Sequence, residues 1–353
     1  MRIEKLRTPA LLLDLGVVKE NTRLLGEITG GSSLELYPHY KSHKCTELAR
    51  LQLELGAKGI TCAKLSEAKD LVNHGIRNVV IANQIVQPEK LQELAVLAKN
   101  ADITVCVDSE ENVKDLRLAC AAAGSRVKVL VEFEVGMQRC GVESFQDVLR
   151  LAMKINEQPC LSFEGIQAYA GHLAHETDAE RRKSEMLLIE ARVAELKKYL
   201  ECQGIPVRQI CGGSTGTAAD KPKDTVYTQL QAGSYLFMDE SYRRLGLSFA
   251  QSLYVVTTVI SVKEDRFVVD CGTKSLSMDQ VPPRFLGFED CRVSFSEEHS
   301  TVFANTEGMR LGDSILCVPG HCCTTVNNFR WLYVMENNQI KEKWAVESSS
   351  KAQ

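Results

Sequence analysis

A cluster of basic side chains follows the short strand-like run LEL at 34–36, in the segment YPHYKSHK at 37–44. If this segment continues a strand, His39, Lys41 and His43 point to one side, because side chains alternate along extended backbone. A lysine that faces a protein interior has a lowered pKa and can act as a nucleophile or form an imine. The alternative is a solvated basic loop, since lysine is usually exposed. The spacing alone leaves both open.

Two glycine-containing segments carry the groups that bind phosphate. CGGSTGT at 211–217 combines glycines, which let backbone N–H groups approach an anion, with hydroxyl side chains, and a Gly-Ser pair follows near 233. β/α barrels often hold phosphate in the loops after their last two strands. The residues concerned are Gly213, Ser214, Thr215, Gly216, Gly233 and Ser234. Two ordinary turns are the alternative interpretation.

A histidine and a cysteine lie two positions apart in PGHCC at 319–323. In extended backbone this spacing places His321 and Cys323 on one side, and imidazole with thiolate suits zinc. Two protein ligands are too few for a structural zinc site, so such a metal keeps positions open for water or substrate. The alternative is a pair of adjacent cysteines buried in a sheet.

An arginine and a tyrosine follow two further strand-like runs. Arg139 lies in EVGMQRCG, after the run RVKVLVEF, and Tyr169 lies in IQAYAGH. The planar guanidinium can orient an anion or phenolate, and the phenol ring can stack on a planar ligand. Each residue alone is more often structural, but both are placed at strand ends, where β/α barrels carry their catalytic groups.

Alternating strand and helix patterns position these residues. Eight short apolar runs alternate with segments of helical periodicity between about residues 34 and 235, which predicts a (β/α)8 barrel. After about residue 239 the pattern changes to strands joined by turns, which predicts a second, all-β domain. We therefore expect a barrel at 15–238 and a β domain at 239–345, with 1–14 pairing with that β domain and a disordered tail at 346–353.

Composition excludes several classes of partner. The chain has 353 residues, a formal net charge of -4 and 44% hydrophobic residues, so neither nucleic acid nor an anionic membrane is expected to bind it. Thirteen cysteines, mostly within apolar runs, indicate reduced buried thiols rather than a disulfide framework. No apolar run suits a signal peptide or membrane span, so we expect a cytoplasmic protein with a small-molecule substrate.

Seven motifs together resemble one enzyme family in order and spacing. They are PHYKSHK, EVGMQRCG, IQAYAGH, GGSTGT, QAGSYLFMD, DCGTKSLSMD and PGHCCTTVN. The sequence is identified as a member of the family of D-threonine aldolases and eukaryotic-type D-serine dehydratases, which includes D-threo-3-hydroxyaspartate dehydratase. These are fold-type III pyridoxal 5'-phosphate (PLP) enzymes, similar to alanine racemase in their barrel. The resemblance implies a homodimer that acts on a D-amino acid.

The resemblance also implies roles for individual residues. Lys41 matches the catalytic lysine that holds PLP, and His39 lies in the same cofactor motif. Arg139 is expected near the phenolate oxygen of PLP and Tyr169 at its ring. The glycine and hydroxyl residues at 213–216, with Gly233 and Ser234, match the phosphate site, and His321 and Cys323 match the metal pair. The chain departs from the family at Tyr37, commonly arginine, and at Glu134, usually aspartate.

Two reactions fit these parts. In the aldolases of this family the matching metal pair is His-x-Asp, which accepts harder ions such as Mn²⁺. In the dehydratases it is His-x-Cys, which favours Zn²⁺. Because the chain has Cys323, we predict a PLP- and zinc-dependent dehydratase that converts D-serine, D-threonine or D-threo-3-hydroxyaspartate to a 2-oxo acid and ammonia. A D-threonine aldolase, giving glycine and an aldehyde, is the alternative. A non-catalytic PLP carrier is a third, which the β domain argues against.

Overall fold

The computed structural model describes residues 2–30 and 32–351. Within that range the chain divides into two compact units. The barrel unit comprises residues 25–30, 32–41, 48–233 and 351, and the β unit comprises residues 2–24, 42–47 and 234–350. The domain bounds expected from the sequence, 15–238 and 239–345, stay a prediction.

The elements are numbered along the chain. The strands are β1 Ala10–Asp14, β2 Glu35–Leu36, β3 Ile60–Cys62, β4 Asn78–Gln84, β5 Asp102–Val107, β6 Val127–Glu132, β7 Leu161–Gln167, β8 Gln209–Gly212, β9 Gln229–Leu230, β10 Leu253–Lys263, β11 Arg266–Val269, β12 Arg284–Phe285, β13 Arg292–Phe295, β14 Ser300–Phe303, β15 Ser314–Val318, β16 Trp331–Glu336 and β17 Gln339–Ala345. The α helices are α1 Leu15–Thr29, α2 Thr46–Glu54, α3 Leu65–Asn73, α4 Pro88–Leu97, α5 Glu110–Ala123, α6 Phe145–Asn156, α7 Ala179–Cys202, α8 Glu240–Arg243 and α9 Cys322–Val326.

Eight parallel strands form the sheet of the barrel unit, in the order β2-β9-β8-β7-β6-β5-β4-β3. The residues after β2 return to β3, because His39 forms a parallel bridge with Thr61 and the Lys58 N–H donates to the Leu36 carbonyl at 2.9 Å. The sheet therefore closes on itself. Together with the β unit described below, this confirms the predicted (β/α)8 barrel with a C-terminal all-β domain.

Apolar patterning explains the elements of the barrel. Strand β5 buries five of its six residues, as expected where a parallel sheet is covered on both faces. Helix α6 buries Val148, Leu151, Ala152 and Ile155, which form one face at helical spacing. The Ser144 hydroxyl caps α6 by accepting the Asp147 N–H. None of the helices in the described part of the chain is long and apolar enough to cross a membrane.

The β unit is built around β1. The strand order is β13-β14-β11-β10-β1-β16-β17, with β15 pairing with both β10 and β12. Strand β1 is antiparallel to β10, with Ala10 opposite Val256, and parallel to β16, with Leu11 opposite Leu332. Its residues 10–13 are all buried, so the amino-terminal strand fills the middle of a sheet made otherwise from the last hundred residues.

The tail at 346–353, expected to be disordered, is packed as far as it is described. Val346 and Ser348 are buried. The Glu347 carboxylate accepts the backbone N–H of Thr46 at 2.9 Å and its hydroxyl at 2.8 Å, and the Ser348 N–H donates to the Lys44 carbonyl. The polar composition of this segment suggests disorder, but Glu347 caps the first residue of α2. The predicted disorder is therefore wrong for residues 346–350. Residues 352 and 353 lie outside the described residues.

Strands β7 and β8 approach each other so closely that one position must be glycine. Gly165 lies opposite Gln209 with φ +152°, and a Cβ there would lie 1.8 Å from the Gln209 carbonyl oxygen. Any side chain would therefore push the strands apart.

We expect Gly165→Ala to lower the free energy of unfolding by on the order of 3 kcal/mol, because backbone strain and collision act together. Urea denaturation measures this change. Gly204→Ala is the matched control, since Gly204 also has a positive φ, +78°, but its Cβ would meet no atom within 4 Å. It should cost only about 1 kcal/mol. If both variants lost the same free energy of unfolding, the close contact between β7 and β8 would not be what requires glycine at position 165.

Candidate functional site

Lys41 lies in a 3₁₀ turn, Tyr40–Ser42, and not in an extension of β2. The regular strand ends at Leu36, although backbone pairing continues to His39, whose N–H donates to the Ala232 carbonyl at 3.0 Å. The Lys41 N–H donates to Nδ1 of His39 at 3.4 Å. The alternation argument for this segment is therefore wrong, although His39 and Lys41 are in contact. His43 is fully buried, with Nδ1 3.1 Å from the Cys45 carbonyl oxygen.

The barrel unit brings Lys41, Arg139 and Tyr169 together around one aromatic ring. Nζ of Lys41 lies 5.8 Å from the centre of the Tyr169 ring, and Cζ of Arg139 lies 5.7 Å from the same centre. These residues come from the segments after β2, β6 and β7, far apart in the sequence. Two cations beside one ring form a site suited to an anionic, planar molecule.

Glycines let the loops after β6 and β7 interlock beside this ring. A Cβ at Gly136, whose φ is +115°, would lie 2.9 Å from the His172 ring, and a Cβ at Gly171 would lie 2.6 Å from Sδ of Met137. Glu134 fixes the first loop by accepting backbone N–H groups of Gly136 and Arg139. Burial opposes ionisation of Glu134, but these hydrogen bonds outweigh it and lower its pKa. Glutamate thus serves where the family usually has aspartate.

A buried carboxylate that the sequence argument missed lies beside Arg139. Glu132, the last residue of β6, accepts a hydrogen bond from Nε2 of Gln84 at 2.5 Å and lies 3.9 Å from the Arg139 guanidinium. Burial raises its pKa, while Gln84 and Arg139 oppose that rise. One sequence feature could have identified Glu132 as a site residue, because it is a polar residue that ends an apolar strand. The same feature recurs at Gln84 in β4 and Gln167 in β7.

The glycine-hydroxyl segment after β8 forms a compact loop. Gly213 has φ +80°, and its Cβ would lie 2.7 Å from Cδ1 of Leu230. A Cβ at Gly212 would lie 2.3 Å from the Ala168 carbonyl oxygen. The Ser214 and Thr217 hydroxyls are 3.1 Å apart, and each accepts the other residue's backbone N–H. These buried hydroxyls and close-packed glycines fit the cradle expected for a phosphate group.

Thr215 is buried in the same loop, which continues through Gly216. Gly233 is the last residue of this stretch of the barrel unit, and Ser234 belongs to the β unit. The Ser234 hydroxyl lies 3.8 Å from Sγ of Cys323. Its placement in the phosphate site stays a prediction.

His321 and Cys323 meet in the β unit, but not through extended backbone. Strand β15 ends at Val318, His321 is the N-cap of α9, and Cys323 is the second residue of that helix. A helix beginning, not strand alternation, brings the two side chains together. The Cys323 thiol also donates to the hydroxyl of Ser42, the residue after Lys41, at 3.6 Å.

Asp279 orients the histidine of this pair. Nδ1 of His321 lies 2.8 Å from Oδ2 of Asp279. Burial alone would lower the His321 pKa, but the hydrogen bonds to Cys323 and Asp279 raise it to about 9. A carboxylate on one ring nitrogen is the usual support for a metal-ligating histidine. Asp279 ends the motif DCGTKSLSMD, but nothing in its sequence spacing marks it as a partner of His321, which lies 42 residues later.

Asp239 holds the turn that carries the pair. It is fully buried, and it accepts the backbone N–H of Cys322 at 2.7 Å and of Tyr242 at 2.9 Å. Among the described residues, no group of three or more His, Cys, Asp or Glu side chains is arranged to hold a metal ion. Imidazole and thiolate fit a divalent cation that takes its remaining ligands from water or substrate.

Tyr37 lies away from Lys41. Its hydroxyl accepts a hydrogen bond from Nδ2 of Asn78 at 3.0 Å, and its ring lies 2.4 Å from where a Cβ at Gly59 would be. Asn78 begins β4, so this contact is at the amino-terminal ends of the strands, opposite to the end where the site residues collect. The missing arginine is therefore replaced by a structural tyrosine.

Comparison with known proteins identifies the two parts of the chain. Residues 13–241 match the alanine racemase N-terminal domain family, and residues 252–335 match a putative serine dehydratase domain. The chain is 34% identical to 3-hydroxy-D-aspartate aldolase of Paracoccus denitrificans and 37% identical to D-threonine aldolase of Arthrobacter sp. Both alignments cover 98% of this chain and 93% of the relative.

A dehydratase is less similar to the chain than these aldolases, and a solved aldolase structure has the same fold. D-threo-3-hydroxyaspartate dehydratase of Delftia sp. is 26% identical, over 78% of this chain and 74% of that protein. The crystal structure of D-threonine aldolase from Filomicrobium marinum superposes with a TM-score of 0.94 at 33% identity, covering 99% of this chain and 98% of that one. The chain therefore belongs to the D-threonine aldolase and D-serine dehydratase family of fold-type III PLP enzymes, whose barrel is of the alanine racemase type.

Proposed function

We propose that this PLP-dependent lyase is an aldolase, which cleaves a D-3-hydroxy amino acid to glycine and an aldehyde. One observation carries the proposal. The relatives that match 98% of the chain at 34% and 37% identity are aldolases, whereas the dehydratase of Delftia sp. is 26% identical over 78% of the chain. This choice reverses the order expected from Cys323 alone.

The proposed cofactor residues divide the work of binding in the barrel unit. Lys41 binds PLP covalently, the ring of Tyr169 stacks beside it, and the Arg139 guanidinium pairs with an anionic oxygen of the cofactor ring. The loop at 213–216 binds the phosphate through backbone N–H groups and hydroxyls. PLP, when bound, supplies an electron sink for the bond that breaks at Cα. The Lys41 amine, once the substrate's amino group has displaced it from the cofactor, would be free to take or return a proton at that carbon.

The proposed cation residues lie in the β unit. His321 and Cys323 hold a divalent cation, and Asp279 fixes the imidazole so that Nε2 faces the ion. The cation, when bound, supplies Lewis acidity toward the substrate's β-hydroxyl. Thiolate favours Zn²⁺, while Mn²⁺ is the alternative that the aldolases' harder ligand pair would accept.

The dehydratase remains the second candidate because of one residue. Cys323 supplies a sulfur ligand at the position where the family's aldolases have aspartate. The pair His321 and Cys323 therefore matches the dehydratases, which release a 2-oxo acid and ammonia. A non-catalytic PLP carrier is a weaker candidate, since the match at 252–335 is to a putative serine dehydratase domain.

Ion pairs within the β unit help to decide whether the substrate's side chain carries a charge. A substrate with a second carboxylate, such as D-threo-3-hydroxyaspartate, would need a cation as its partner, and Arg284 and Lys274 are two cations of the β unit. In the β unit, however, Nε of Arg284 lies 2.5 Å from buried Glu240 and Nζ of Lys274 lies 2.8 Å from Glu298. Because Arg284 and Lys274 are already engaged in ion pairs, and the Arg284–Glu240 pair is largely buried, we favour an uncharged substrate side chain, as in D-threonine.

Product analysis tests the proposed reaction. Purified protein with PLP and either Zn²⁺ or Mn²⁺ is incubated separately with D-threonine, D-serine and D-threo-3-hydroxyaspartate. We expect glycine and acetaldehyde from D-threonine, and faster turnover with it than with the dicarboxylate. A 2-oxo acid with stoichiometric ammonia would make the protein a dehydratase, and no product from any substrate would favour a carrier.

Replacing the proposed cofactor lysine should abolish covalent binding. After borohydride treatment, we expect PLP to be recovered on the peptide containing Lys41, and Lys41→Ala to lose this label and at least about a hundredfold in rate. Peptide mass mapping measures the label. Lys58→Ala, at an exposed lysine of the same unit, is the control and should keep both. A label on another lysine in the wild-type protein would refute the assignment.

Asp279 should matter for metal affinity. We expect Asp279→Asn to weaken binding of Zn²⁺ by about tenfold to a hundredfold, because the amide supports the imidazole less strongly than a carboxylate does. Titration of metal-free protein with Zn²⁺, followed by competition with a chromogenic chelator, measures this. Asp290→Asn removes an exposed carboxylate of the same unit and should leave the affinity unchanged. Equal affinities in all three proteins would remove Asp279 from the site.

A further inference from the structure

A fully buried lysine lies against the glycine loop after β8. The Lys221 side chain is 1% exposed. Its Cε lies 3.0 Å and its Nζ 3.9 Å from the position that a Cβ at Gly213 would occupy. Any larger residue at Gly213 would displace the lysine, so the loop and the ammonium group are fitted to each other.

Lys221 contacts one carboxylate and one aromatic ring. Nζ lies 3.3 Å from Oε1 of Glu190, on α7, and 3.1 Å from the centre of the Tyr227 ring. The same carboxylate also accepts the Thr225 hydroxyl at 2.6 Å and the Val226 N–H at 3.1 Å. Glu190 therefore has three donors, while the ammonium has one carboxylate and an aromatic face.

Burial makes this lysine costly. It lowers the Lys221 pKa to about 8, and Glu190 only partly opposes that effect. A buried ion pair is weak evidence for stability, since apolar residues of similar volume often do as well or better. A role in binding explains better why a charge is kept here.

Lys221 is also joined to the segment that carries Tyr169. The Tyr227 hydroxyl, beneath the ammonium group, donates to the Ala168 carbonyl at 2.9 Å. Ala168 immediately precedes Tyr169, and its carbonyl oxygen is the atom that excludes a side chain at Gly212. The lysine thus contacts the proposed phosphate loop directly and the proposed ring-binding segment through Tyr227.

We propose that Lys221 is a positioning residue for the cofactor phosphate, whose buried positive charge stabilises the anion bound by the loop at 213–216. The inference rests on the proposed binding of PLP and adds a charge that neither the glycine motif nor the metal pair supplies. Little water screens a charge at this depth, so it acts on an anion in the loop more strongly than a surface lysine would.

A second ion pair allows the effect of charge to be separated from anchoring. Arg182 and Asp220 pair at 2.6 Å, both largely buried, and tie the same segment to the same helix, α7. If Lys221 only anchors the loop, loss of either pair should act alike. If its charge acts on the phosphate, loss of Lys221 should discriminate between ligands with and without a phosphate.

The experiment compares binding of PLP and of pyridoxal, which lacks the phosphate, by fluorescence quenching of the cofactor-free protein. Lys221→Met alone leaves Glu190 unpaired and is liable to destabilise the fold, so the principal variant is Lys221→Met with Glu190→Gln. We expect about a tenfold loss of PLP affinity, equivalent to about 1.4 kcal/mol. Pyridoxal affinity should stay within about twofold of the wild-type value, because pyridoxal has no phosphate for the charge of Lys221 to stabilise.

Arg182→Met with Asp220→Asn is the matched control, and we expect it to change both affinities by one common factor. Equal losses of PLP and pyridoxal in the Lys221 variant, no loss, or the same discrimination in the Arg182 variant would overturn the inference. A wild-type protein that binds neither ligand would instead refute the proposed function, on which the inference depends.

Discussion

One hydrogen bond, from the Tyr227 hydroxyl to the Ala168 carbonyl, is central to the proposed cofactor site of the barrel unit. It joins the segment that leads into β9 to the one that follows β7. The Ala168 N–H also donates to the Cys211 carbonyl at 2.8 Å, so both polar groups of this peptide position are fixed. Tyr169 follows directly, and the glycine loop packs against the same carbonyl. A small shift there would move the ring and the loop together.

Most of the architecture could be predicted from the sequence, because it depends on local apolar period. All eight barrel strands lie between residues 34 and 235, as predicted, and the strands of the β unit from β10 onward follow the predicted change of pattern near residue 239. The site was harder, since the segments around Lys41 and Cys323 leave extended backbone for a 3₁₀ turn and a helix beginning. Partners such as Glu132 with Gln84 lie 48 residues apart, and only the closed barrel brings them together.

The choice between two reactions shows the limit of one ligand as evidence. A thiolate changes which cation is preferred, but bond cleavage also depends on where the substrate's Cα and β-hydroxyl are held, and many side chains share that task. Similarity over nearly the whole chain samples all of them at once. For this reason we propose the aldolase despite Cys323, since the two aldolases are 34% and 37% identical to the chain and the dehydratases 26% and 24%.

The central place of β1 in the sheet of the β unit has a consequence for biosynthesis. Strand β1 pairs with β10 and β16, which are translated roughly 240 and 320 residues later. Until then its apolar residues have no sheet to join, and such delayed, non-local pairing slows folding and favours aggregation. The sheet of the β unit therefore cannot form until β16 has been synthesised, and β1 stays exposed during that interval.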